Sequence, residues 1–284
     1  MNSPSAPAPL RAVRTSTGSS TFSWSRFQLL ARAHWAEHLR QYLGHMAVTG
    51  VLYGVLLIFT LSLSRGWAFS TGGQSAFYFW GLYLTGFVFA GRYFEGMAQR
   101  ESALLALMRP ASILEKWLLC VVVVAVAYPL CYTLLFLAIS WPAQSVALAL
   151  RASWRPPGAV DPQDYALFVP LLRTPLSESL LSIPQQWGLF IAAWALQAVA
   201  VTGSLYFRRA AMLKTLALGV VLFFITAMIG AICGARHEVL FAWWTGRAGM
   251  GGLALHAFSA VLWLLLPLLL WGQTYLHLRD KELT

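Results

Sequence analysis

Gly203 and Ser204, with His256 further along the chain, come nearest to a nucleophile and its base. Ser204 falls in an apolar run that ends in Tyr206, Phe207, Arg208 and Arg209. That reads as a helix end, not as the sharp strand-to-helix turn that presents a nucleophile in a G-x-S-x-G elbow. An intramembrane serine enzyme is accordingly the least supported of three function classes. The cysteines are Cys120, Cys131 and Cys233. On one helix Cys120 and Cys131 would stand roughly 16 Å apart, too far to bridge. No C-x-x-C or H-E-x-x-H spacing occurs, so three small core residues are expected rather than a metal or redox site. The sequence lacks G-x-x-x-x-G-K-[ST], and the glycine-rich stretch 246–252 has no strand before it to make a dinucleotide turn. No catalytic, cofactor-binding or metal-ligating residue is therefore expected on this chain.

What the chain has in abundance is apolar side chains. Of 284 residues, 58% are hydrophobic and 11% charged, and the mean hydropathy is +0.64. A soluble domain is about 25% charged, and a disordered chain needs low hydrophobicity with high charge. Both classes are excluded. The net charge is +10, but the basic residues are spread between apolar runs instead of forming one patch. That pattern points to orientation in a membrane and not to nucleic acid.

Six apolar runs, about 46–64, 76–94, 116–139, 187–207, 212–233 and 253–276, approach the roughly 20 residues that cross a hydrocarbon core of about 30 Å. Backbone polar groups must be paired within a segment in lipid, so all six are expected as helices. Trp67, Trp80, Trp117, Trp141, Trp187, Trp243, Trp244 and Trp271 fall near run ends, as an aromatic belt requires. With alternating sides, 14 Lys and Arg fall on the side of the termini and 6 on the other, which places both termini in the cytoplasm. The predicted fold class is an all-α membrane protein with six transmembrane helices, both termini cytoplasmic, and an N-terminal amphipathic interfacial helix. Residues 1–22, rich in Pro, Ser, Ala and Thr, are expected as a disordered tail, and 23–284 as a single membrane domain.

The interfacial helix is read from 24–45, where Trp35, Leu39, Tyr42 and Met46 recur on one side and Arg26, Glu37, Arg40 and Gln41 on the other. A water-exposed helix packed on a partner fits the same residues. The connection 140–186, with seven prolines including Pro142, is expected as a long extracytoplasmic loop, partly ordered. The connection 234–252 carries Arg236, His237, Glu238, Trp243 and Trp244 and is expected at the membrane boundary. No acidic or basic residue lies near the centre of a run. A charge there costs at least about 2.5 kcal/mol, and proton- or sodium-coupled carriers and voltage sensors bear that cost. Gln197 and His256 are the polar residues expected to face the bundle interior, as helix–helix hydrogen-bonding groups. Pro129 and Pro267 are expected to kink their helices. Gly50 with Gly54, and Gly86 with Ala90, are expected to let helices approach closely.

The most informative connection is EGMAQRESALLALMRPASILEK, residues 95–116. Residues 98–108 are helix formers with Leu104, Leu105 and Leu107, and Arg109 with Pro110 ends them. Ser112-x-x-Glu115 then forms a capping box at the start of the third span. The order is span, short cytoplasmic helix, sharp turn, capped span; an ordinary capped loop fits as well.

With this segment the chain resembles the type-2 permeases of ATP-binding-cassette transporters, the membrane subunits of exporters. In that family the corresponding segment has an acidic residue, leucines, a Pro-Ala/Ile-Ser turn and an acidic residue opening the third span. Glu101, Leu104, Leu105, Leu107, Pro110, Ala111, Ser112 and Glu115 fill those places, while Ser102 and Ala103 stand where the pattern often has Gly-Thr. The stretch 203–216 is also similar to a region of bacterial permeases. The resemblance implies a short coupling helix that docks on a separate nucleotide-binding ATPase subunit, through Arg100, Glu101, Leu104, Leu107, Met108 and Arg109. It also implies a second permease subunit, in a homodimer or heterodimer, and a place in a bacterial cytoplasmic (inner) membrane. ATP and Mg would sit on the partner. The other function class is a non-transporting membrane scaffold that holds a partner through its extracytoplasmic loop.

Overall fold

The computed structural model describes residues 22–94, 111–156, 160–172, 181–207, 213–217, 221 and 252–283. Every regular element among them is helical. The long helices are α1 (Trp24–Ser64), α2 (Thr71–Arg92), α3 (Ile113–Ser153), α4 (Ile183–Tyr206) and α5 (Gly252–Leu283). Single 3-10 turns lie at Trp67–Phe69 and Pro162–Tyr165. Three helices among the described residues are long and apolar enough to cross a membrane: Trp24–Ser64, Ile113–Ser153 and Gln185–Tyr206. The described residues are thus all-helical, with helices of the length and apolarity of a membrane protein. The expected runs 76–94 and 253–276 fall largely within α2 and α5, and the run 212–233 lies almost wholly outside the described residues.

α1 corrects the expectation of a separate interfacial helix. Residues 24–45 and the apolar run after them form one unbroken helix of 41 residues, about 60 Å long. The reason is local: the stretch contains no proline, and glycine occurs only at 44, 50 and 54, which weakens a helix without ending it. Phe27, His34 and Thr49 are buried, whereas Trp35 is half exposed. α1 ends where Arg65 and Gly66 both turn left-handed (φ 51° and 82°). There the Arg65 guanidinium sits 3.8 Å above the Trp154 ring, a cation–π contact.

α3 runs parallel to α1. Ser23 meets Glu115 near both N-termini, and Tyr53 meets Ser140 further along. The proline at 129 is absorbed by a wide π turn, Val122–Ala127, in which the Tyr128 N–H reaches back to Val123 O. A π turn relieves the clash that a proline ring makes with the carbonyl four residues earlier. Pro142 stays inside the helix, which continues to Ser153. The expected loop 140–186 therefore starts about fourteen residues late, because one proline removes one hydrogen bond and does not by itself stop a packed helix.

Without a hydrophobic driving force between helices in lipid, close fit and hydrogen bonds hold a bundle together. The interior is accordingly aromatic and rich in hydrogen bonds. Tyr78, Tyr128, Tyr132 and Phe136 are buried between α2 and α3. Phe89 stacks on Tyr128 at 4.5 Å. The Tyr78 hydroxyl pairs with Thr133 Oγ1 at 2.7 Å, and the Tyr132 hydroxyl donates to Tyr78 O at 3.1 Å. α2 also packs on α4, and α4 on α5, where Thr202 and Thr274 hydroxyls meet at 2.9 Å. Trp67, Trp141 and Trp187 are exposed, whereas Trp271 is buried and its carbonyl accepts from Trp117 Nε1 at 2.9 Å. Gly50 faces Leu135 of α3, whereas nothing lies close to Gly54.

The connection after α3 is pinned by two buried glutamines. Gln74 Oε1 accepts from the Phe168 N–H at 3.0 Å, and its Nε2 donates to Phe69 O and Ala166 O. Gln186 Oε1 accepts from the Leu171 N–H at 2.8 Å. Gln74→Leu would leave a buried N–H unpaired, a loss of about 1–3 kcal/mol. We expect faster proteolysis within 160–172 in the purified variant; an unchanged cleavage rate would show that Gln74 does not hold this segment.

Candidate functional site

α1 rests mainly on α3, and α2 on α4, so α1 and α2 touch only sparsely. Between them lies a groove of about 560 Å³, a size typical of small-molecule sites. Val48, Leu52 and Leu56 of α1 form one lip; Trp80, Leu84 and Val88 of α2 form the other. All but Val88 are exposed on the outer surface. The floor is more polar, with Thr49, Tyr53, Thr85 and Tyr132. Tyr132 reaches the floor because Gly81 has no side chain; a Cβ there would collide with its hydroxyl. His38, Gln41, Arg92 and Tyr93 close one end.

Three histidines and a tyrosine follow the inner side of α1 into this groove. His34 and His38 stack at 4.4 Å, and His34 Nε2 is 2.6 Å from the Tyr42 hydroxyl. His38 Nδ1–H donates to the His34 carbonyl at 3.0 Å, which fixes its tautomer and turns Nε2 elsewhere. His45 packs against Phe89 and Tyr128. Among the described residues no three His, Cys, Asp or Glu side chains come together as a metal site. The arrangement is a polar floor under an apolar slot. An elongated amphipath has the matching order of groups, apolar along the lips and polar at the floor.

A second constellation sits where α1 and α3 begin. Glu115 completes the capping box: its Oε2 accepts from the Ser112 N–H at 2.9 Å, and Ser112 Oγ accepts from the Glu115 N–H at 3.2 Å. Its other oxygen reaches across to α1, accepting from the Ser23 N–H at 2.8 Å and from Arg26 Nη2 at 3.2 Å. Glu115 is fully buried. One carboxylate thus caps α3 and clamps α1 to it.

Of the residues singled out in the sequence, Ser112 and Glu115 are joined in this clamp. Arg100, Glu101, Leu104, Leu107, Met108 and Arg109 lie outside the described residues, as does the side chain of His256. Gln197 is buried in the bundle beside Gly86, with neither amide atom hydrogen-bonded. Ser204 is buried and donates to Val201 O at 2.7 Å, the bond of a helix residue and not of a presented nucleophile. Cys120 is buried and Cys131 exposed, both as free thiols. The histidine row was legible as the spacing 34, 38, 42 and 45, but the more apolar Trp35–Leu39 stripe masks it. No family model matches the chain, and no curated protein or solved structure matches it at a significant level.

Proposed function

We propose that the chain is the permease subunit of an ATP-binding-cassette transporter, an exporter, in a bacterial cytoplasmic membrane. In this reading the six spans are 46–64, 76–94, 116–139, 187–207, 212–233 and 253–276, and both termini are cytoplasmic. ATP and Mg are bound by a separate nucleotide-binding subunit, and a second permease subunit completes the pathway. The observation that carries the reading is the corner at Ser112 and Glu115. It directly follows the segment 98–108, which resembles a coupling helix. A push on that segment would pass into α3 through the cap and into α1 through the Glu115 bonds to Ser23 and Arg26. The N-terminal part of α1, unbroken into the apolar run and lying beside the start of α3, makes a lever of the kind such transmission needs.

The test is isolation of the full chain from native membranes after mild crosslinking. The expected result is a bound ATPase subunit crosslinked through positions 98–108. Absence of any ATPase, with a stable partner held on the opposite side instead, would overturn the transporter reading in favour of the scaffold.

A further inference from the structure

We infer that the groove between α1 and α2 holds one acyl chain of an anionic phospholipid drawn from the surrounding bilayer. This rests on the chain's membrane character and not on the transporter reading. Three features of the groove follow the order of groups in such a lipid. At one end stands the cation Arg92, level with His38 because Tyr93 packs on His34 and Phe89 on Tyr42. Lysine and arginine at this depth attract anionic headgroups. Two turns deeper, about 10 Å by helical rise, His45 Nε2 is enclosed and without a hydrogen-bond partner. The polar floor begins at this level with Thr85, where a lipid's ester and glycerol oxygens would lie. Beyond it the lips turn apolar, through Val48, Leu52 and Leu84. From the level of His45 to Leu56 the groove runs about 16 Å by helical rise, close to half of a hydrocarbon core of about 30 Å. One leaflet's chain therefore fits the slot from ester to tip. The slot is open along its length, with Val48, Leu52 and Leu84 each more than half exposed, so a lipid enters sideways.

The experiment uses the full chain in nanodiscs that contain either phosphatidylglycerol or phosphatidylcholine with a photoactivatable acyl chain. Crosslinked peptides are mapped by mass spectrometry. Labelling should concentrate on 48–56 and 80–88 and exceed that on the exposed ridge of Leu130 and Leu134. Phosphatidylglycerol should label the groove about fivefold more than phosphatidylcholine, the preference one basic residue gives near a membrane surface. Arg92→Gln should remove that preference, and Arg92→Lys should keep it. Leu84→Trp should fill the slot and shift labelling to the ridge. Equal labelling of groove and ridge in the unaltered protein overturns the proposal, and so does equal labelling of the groove by the two lipids. Disulfide formation between copies carrying Val48→Cys and Leu84→Cys, with the groove unlabelled, would also overturn it and make the groove an interface between copies. None of these readouts involves an ATPase, so failure here leaves the transporter reading standing.

Discussion

Glu115→Ala should lower the stability of the purified chain by about 3 kcal/mol, roughly a hundredfold in the unfolding equilibrium. Three hydrogen bonds end on this carboxylate, from the Ser112 N–H, the Ser23 N–H and Arg26. Hydrogen bonds to a buried charge are each worth about 1.5–3 kcal/mol, and removing one partner leaves the others exposed to an apolar interior. The Arg26 side chain is 38% exposed, so water takes over part of its loss and the sum is held well below the maximum. Glu115→Gln keeps a side-chain acceptor and should lose about half as much. Arg26→Ala should lose about 1 kcal/mol for the reason that limits its contribution above. Denaturant titration in mixed micelles would measure all three. A loss below about 0.5 kcal/mol for Glu115→Ala would mean that the carboxylate caps α3 without clamping α1.

Leu104→Asp should abolish productive contact with an ATPase partner while leaving insertion into the membrane intact. In the proposed coupling helix Leu104 and Leu107 fill an apolar cleft, and the flanking charges Arg100, Glu101 and Arg109 set orientation. Burying an unpaired carboxylate in such a cleft costs at least about 2 kcal/mol, about thirtyfold in docking affinity. ATP hydrolysis should then no longer respond to transported substrate, and less ATPase should be recovered with the variant. Normal transport with an undiminished complex would remove residues 98–108 from the coupling role. The two variants separate the parts of the proposal: Glu115→Ala weakens the lever, whereas Leu104→Asp weakens the grip on it.

Much of the local structure is legible in the residues. The Ser112–Glu115 capping box is an i, i+3 motif, and its geometry is fixed within a single helical turn. Burial of Gln197 follows from a single amide in an otherwise apolar run. The extents of α1 and α3 are less legible. The apolar run that begins near residue 46 suggests a break that helix physics does not require, and Pro142 suggests a stop that a helix supported by neighbours does not make. The groove left no mark in the sequence, since its lips come from α1 and α2 and its floor includes Tyr132 of α3.

The sequence by itself determines that this chain is helical and belongs in a membrane. Apolar runs of about twenty residues cannot leave their backbone groups unpaired in lipid, and only continuous helices pair them all locally. Tertiary structure alone decided which side of α1 turns inward, that Glu115 joins helices whose contacting residues are about ninety positions apart, and that α1 and α2 stand apart over a polar floor. Those outcomes depend on which helix lies against which. That arrangement is set by side-chain fit between distant segments, and no periodicity within one segment records it.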